Sequence, residues 1–161
     1  MLATLRKIVQ DVTQEGNFAA SVQLLVSSVR SALGTEVCSI YLVNADRGGY
    51  VLAATQGLNQ AQTGQTVLSR SQGLVGLVGT RAEPLNLDAA PSHPSFHYVP
   101  EIGEEPFNSF LGVPIMHQGR VLGVLVVQQR DPRRFDESEE AFLVTLSAQL
   151  ATVVAHAEAI G

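Results

Sequence analysis

The sequence predicts an α+β domain, with helices at both ends of the chain and antiparallel hairpins between them. Three observations carry this reading. Apolar residues recur at helical spacing near both termini, and two pairs of β-rich segments are joined by polar, glycine-containing turns. An irregular stretch rich in proline and aromatic residues separates the two pairs.

Leu2, Leu5, Val9 and Val12 place one apolar stripe on an otherwise polar first helix, which Gly16 ends. Asn17 then suits the N-cap of a second helix, because its side-chain oxygen can accept an unpaired N–H of the first turn. Phe18, Val22, Leu25, Val29 and Leu33 share a face of that helix, and Gly34 tolerates the left-handed backbone that closes it. Residues 37–43 are nearly continuous in apolar, β-prone types, the pattern of a central strand covered on both faces. The turn through Asn44, Asp46 and Gly48 leads into a partner strand at 50–55, and residues 66–68 add a short one.

Ser71 stands near the cap of a short helix whose contacts come from Leu74, Val75, Leu77 and Val78. Gly73, Gly76 and Gly79 recur within it, and each costs about 1 kcal/mol relative to alanine in a helix. A backbone pressed closely on the sheet, or on a ligand, is the expectation. Residues 88–108 show no period and contain Pro91, Pro94, Pro100 and Pro106, which reads as a lid or binding loop. Phe96, Tyr98, Phe107 and Phe110 lie in or just beyond it and need something to pack against. Residues 110–117 and 120–129 form the second hairpin around Gln118-Gly119, a turn that sets Pro114 opposite Gly123 with a bulge nearby. Asp136 and Glu139 make a capping box, after which Leu143, Leu146, Leu150, Val153 and Ala157 trace the face of a long closing helix.

Composition narrows the function. The chain has 161 residues, 45% hydrophobic and 16% charged, which suits one domain with a real core rather than two. Its net charge is −5 and its ten Lys and Arg are scattered, so no basic stripe is available for nucleic acid. Cys38 is the one cysteine, leaving no internal disulfide and no paired thiols, which fits a reducing, cytoplasmic setting. No signal-peptide pattern opens the chain, and apolar runs such as residues 124–127 are too short to cross a membrane. A helical pattern still running at Gly161 predicts that residues 1–161 are the N-terminal fragment of a longer protein.

The order of elements resembles the GAF fold, in which an antiparallel sheet carries the terminal helices on one face. Short helices and a long loop cover a ligand pocket on the other. Phe110-Leu111-Gly112-Val113-Pro114-Ile115 is similar to a general GAF segment, while Glu36-Val37-Cys38-Ser39-Ile40-Tyr41, His93-Pro94-Ser95-Phe96 and Val126-Val127-Gln128-Gln129 resemble one subgroup. That subgroup is the N-terminal GAF domain of the nitrogen-related phosphotransferase-system enzymes I, which are phosphoenolpyruvate-protein phosphotransferases. The likeness covers almost the whole chain. It implies a parent enzyme that moves a phosphoryl group from phosphoenolpyruvate to a histidine and then to a carrier protein, with magnesium in its catalytic part. For this chain it implies a single sensor domain with no catalytic residue and no cofactor. The Gly-Gly-x-x-Ser-His segment of the family's reactive histidine surrounds none of His93, His97, His117 or His156.

The resemblance further implies a metabolite such as glutamine or 2-oxoglutarate as ligand, a homodimer formed through the terminal helices, and downstream phosphotransferase domains as partners. A ligand-free module for dimerisation or docking is the alternative. The candidate pocket comprises Tyr41, Arg81, Asp88, His93, Phe96, Tyr98, Phe107 and Ser109, apolar walls with a few polar groups. Arg81 suits a ligand carboxylate, although it reads equally as a solvated surface arginine, and the aromatics as ordinary core beneath a loop. His93 and His97 have the spacing of a helical metal pair, but Pro94 spoils a helix there and no metal is expected. Cys38, in a strand without adjacent cations, reads as a packed core thiol. A single cysteine also argues against the GAF relatives that reduce free methionine sulfoxide, which rely on several.

Overall fold

Helices and strands follow in the order α1 (Leu2–Gln14), α2 (Phe18–Leu33), β1 (Val37–Asn44), β2 (Gly49–Gln56), β3 (Val67–Ser69), α3 (Gly73–Arg81), β4 (Leu85–Leu87), β5 (Ser109–His117), β6 (Arg120–Gln129) and α4 (Glu137–Ile160). Single 3₁₀ turns occupy Gln60–Gln62 and Ala90–Ser92. The computed structural model describes residues 2–101, 103 and 106–160, with side chains of 158–160 excepted. Every strand pairing is antiparallel, and the sheet order is β3-β2-β1-β6-β5-β4. The α+β class is as expected, with β1 and β6 at the centre.

Local chemistry sets the helix ends. The Asn17 side chain accepts the Ala20 N–H at 3.0 Å, and Gly34 closes α2 in the left-handed region at φ 66°. At the start of α4, Asp136 and Glu139 each accept the other's backbone N–H at 2.8 Å, completing the capping box. The expected stripes shift slightly. In α1 the buried residues are Leu5, Ile8 and Val12, whereas Leu2 is 68% exposed, because α1 packs between α2 and α4 on a narrow face. In α4 Val154 is buried and Val153 only half-buried, since a 3.6-residue turn advances the face over so long a helix.

One expectation is corrected. Pro114 pairs with Val124, not Gly123, because a bulge between Ile115 and Met116 absorbs Leu122 and moves the register by one. Gly123 faces Ile115 instead, and a Cβ there would lie 2.4 Å from the Tyr41 carbonyl oxygen, so β1 leaves no room for a side chain. Ser71 stands beside the cap of α3 as expected; the cap itself is Gln72, without a side-chain capping bond, because its amide is used elsewhere. Strand β4 carries no sequence period: it is three residues long and follows Pro84.

The sheet separates two cores. On one face Cys38, Ile40, Leu111, Val113, Leu125 and Val127 pack beneath α1, α2 and α4, with Leu143, Leu146 and Leu150 supplied by α4. By composition α4 is long and apolar enough to span a membrane, yet these leucines are buried in this core. On the other face Tyr41, Tyr50, Leu52, Phe110, Val124 and Val126 meet Leu74, Val75 and Val78 of α3. A bulge in β2 at Ala53 lets Ala54 face the helices and Leu52 face α3.

Candidate functional site

The face opposite the terminal helices is roofed by α3 and by the described part of residues 88–108, the flap. Glycine lets α3 sit very low on the sheet. A Cβ on Gly79 would lie 1.8 Å from the Tyr50 hydroxyl, and one on Gly112 of β5 would lie 3.1 Å from Val78 Cγ2. Gly79 and Gly112 therefore serve the close packing of helix on sheet, whereas Gly76 makes room for the Ser71 backbone and Gly73 takes the left-handed region at φ 71°.

Side chains hold the flap shut. Its two roots meet where the Ala90 N–H donates to the Asn108 carbonyl at 2.8 Å. Farther out, the Gln72 amide and the His97 ring are hydrogen-bonded at 2.8 Å, and Asn59 Nδ2 donates to the Glu101 carbonyl at 2.9 Å. Among the described residues, a cavity of about 10 Å³ lies between flap, α3 and β3, lined by Leu68, Gly73, Leu74, Val75, Phe96, His97 and Val99. That is room for about one water molecule. Larger hollows are open surface clefts elsewhere, one of about 270 Å³ beside Phe18, Leu42, Leu122 and Val154 and another of about 380 Å³ beside Asp46, Arg70 and Arg120.

The eight candidate residues are spread unevenly. Tyr41 is buried and Phe96 half-buried in the same apolar cluster beneath the flap. His93 is half-buried, and its Nδ1 accepts the Ser95 N–H at 3.0 Å; Asp88 and Arg81 are exposed, and Tyr98 is 55% exposed. Phe107 is buried in a separate cluster with Val37 and Leu58, beneath the Arg130 guanidinium. Ser109 is wholly buried, but its hydroxyl turns toward the backbone of Asp131 and Arg133. His93 and His97 point to separate partners, and among the described residues no cluster of three or more His, Cys, Asp or Glu could hold a metal.

Sequence reasoning passed over one polar feature. Ser39 and Thr55, both fully buried on the flap-side face of the sheet, share a hydrogen bond of 2.8 Å across β1 and β2. The signal was present, since hydroxyls standing in an otherwise apolar strand pair need a partner when buried. Cys38, adjacent to Ser39, faces the helices instead, and complete burial pushes its thiol pKa far above the ordinary value.

A family model described as "GAF domain" matches residues 17–154. The chain belongs to the GAF family. Over 158 residues this GAF domain is 48% identical to proteins of Escherichia coli (strain K12) and Salmonella typhimurium (strain LT2) described as "Phosphoenolpyruvate-dependent phosphotransferase system". The match covers 98% of the chain but only 21% of those relatives' length. Two solved structures agree. The GAF domain of a phosphoenolpyruvate-protein phosphotransferase from Coxiella burnetii is 47% identical, with TM-score 0.94 over 99% of this chain and 95% of that one. Its Acinetobacter counterpart is 48% identical, with TM-score 0.92 over the same shares. A free methionine-R-sulfoxide reductase from Neisseria meningitidis shares the fold, with TM-score 0.82 at 22% identity over 98% of this chain and 90% of that one.

Proposed function

We propose that this GAF domain is the cytoplasmic regulatory domain of a longer phosphoenolpyruvate-protein phosphotransferase. It senses a nitrogen-status metabolite such as glutamine or 2-oxoglutarate beneath the flap and adjusts phosphotransfer in downstream domains. The domain supplies no catalytic group on this reading, and magnesium belongs to the catalytic part. The observation that carries sensing is the asymmetry of the roof: buried hydroxyls at Ser39 and Thr55 lie in the sheet face, and the flap above that face is tied by exposed side-chain bonds at Gln72–His97 and Asn59–Glu101. A cavity of about 10 Å³ admits no metabolite, so ligand entry requires the flap to lift.

Titration calorimetry with glutamine, 2-oxoglutarate and a wider metabolite panel tests this. Saturable heat with one compound, lost when His97 is replaced by a bulkier residue, supports sensing. No heat with any member overturns it in favour of the second reading, a ligand-free dimerisation or docking module. That reading draws on the closed cavity and on the outward row Ala141, Val144, Thr145, Ala148 and Thr152 of α4, which is exposed and carries no charge. Paired α4 helices from two copies would cover it. Light scattering that finds only monomer at high concentration rejects the dimer.

A further inference from the structure

The strands that carry the two roots of the flap, β4 and β5, are both bonded to one irregular segment, residues 130–136, that runs directly into α4. On the β4 side, Asn86 Nδ2 donates to the Phe135 carbonyl at 2.8 Å, and Asn86 Oδ1 accepts the Phe135 N–H at 3.0 Å. The same Nδ2 reaches Glu140 Oε1, in the first turn of α4, at 3.2 Å. On the β5 side, Ser109 Oγ accepts the Arg133 N–H at 2.9 Å and shares its own proton between the carbonyls of Asp131 and Arg133. Beside it, Asn108 Nδ2 donates to the Arg130 carbonyl at 3.0 Å, and the Arg130 guanidinium lies 5.1 Å from the centre of the Phe107 ring.

The segment is equally tied to the helix. Arg133 grips the Glu139 carboxylate with both terminal nitrogens, at 3.0 and 3.1 Å, and that carboxylate also caps the Asp136 N–H. Irregular backbone has no ladder to satisfy its polar groups, and here the flap roots supply the partners. Moving a root strips those bonds, and buried groups left unpaired are unfavourable.

We propose that residues 130–136 form a strap coupling the flap to the first turn of α4, with Asn86 and Ser109 as its positioning residues. A shift at the flap roots loosens the capped start of α4, and loosening that start releases the flap. The coupling is reciprocal, as any free energy shared between two sites must be, and it holds whether or not a ligand enters beneath the flap.

Hydrogen–deuterium exchange on the protein reads this from both ends. Asp136→Ala removes the acceptor of the Glu139 N–H, and amides of the first α4 turn are expected to exchange about fivefold faster. Flap amides at residues 93–99 should then exchange at least about twofold faster, a response that disappears when Asn86→Ala is also present. From the other end, Asn108→Ala should speed exchange in the first α4 turn about twofold. Flap amides unmoved by Asp136→Ala, or a first turn unmoved by Asn108→Ala, would overturn the strap. An equal rise at residues 124–127 of β6 would do so too, because it marks general loosening of the fold.

Discussion

The two faces of one sheet are built on different terms. Beneath the terminal helices, Val26, Val29, Leu125, Leu143 and Leu146 are at or near zero exposure in one large apolar cluster, and whole helices cover it. Beneath the flap the cluster is smaller, tyrosines and the Ser39–Thr55 pair stand in the sheet, and part of the cover is loop held by side-chain bonds. The first face holds the fold together, because apolar burial by rigid elements is strong and hard to rearrange. The second stores little stability in its cover, which is what a movable roof requires.

The largest expected effect is on the helical face. Leu143→Ala should lower unfolding free energy by about 3 kcal/mol in a urea titration, whereas Phe96→Ala, half-buried under the flap, should cost about 1 kcal/mol or less. Comparable losses would break the contrast. Gly79→Ala should cost about 2 kcal/mol by overpacking α3 against the sheet. Tyr50→Phe in the same protein should restore part of that, because the hydroxyl is the nearest obstacle at 1.8 Å while the ring carbon behind it stays at 2.8 Å.

Cys38 tests the helical face through pH. The fold keeps the thiol protonated, so its contribution is intact below the unfolded thiol pKa of about 8.5 and is lost as pH rises beyond it. Between pH 8.5 and 10 the protein should lose up to about 1.4 kcal/mol per pH unit more than Cys38→Val does. Matching slopes would mean that the strand opens readily. The smallest effect belongs to the flap clasp: His97→Ala should change global stability by less than about 1 kcal/mol while speeding proteolytic cleavage within residues 93–101. Unchanged cleavage would show that packing of Phe96, not the clasp, keeps the roof closed.

Caps, turns and most strands were legible because their causes lie within a few residues. Asn17, Gly34, Asp136 and Glu139 act on backbone groups within four positions, and the Gln118-Gly119 turn, with φ of 51° and 77°, suits a tight hairpin. The site was less legible. Phe107 and Ser109 look like pocket residues in a loop-bounded sequence, yet one fills a side cluster and the other binds the segment leading to α4. Nothing local separates those fates, because the partners Val37, Arg130 and Arg133 come from distant parts of the chain.

By itself the sequence determined the helices and every strand but β4, where most of them begin and end, and that the chain belongs with GAF domains; each depends on short-range periodicity, capping chemistry or motif. Tertiary structure alone decided the strand order, the Pro114 register, the roots of the flap and the volume beneath it. Those quantities are sums over side chains remote in sequence: a bulge at Leu122 moves a whole register, and the cavity is what remains after α3, β3 and the flap have settled against one another.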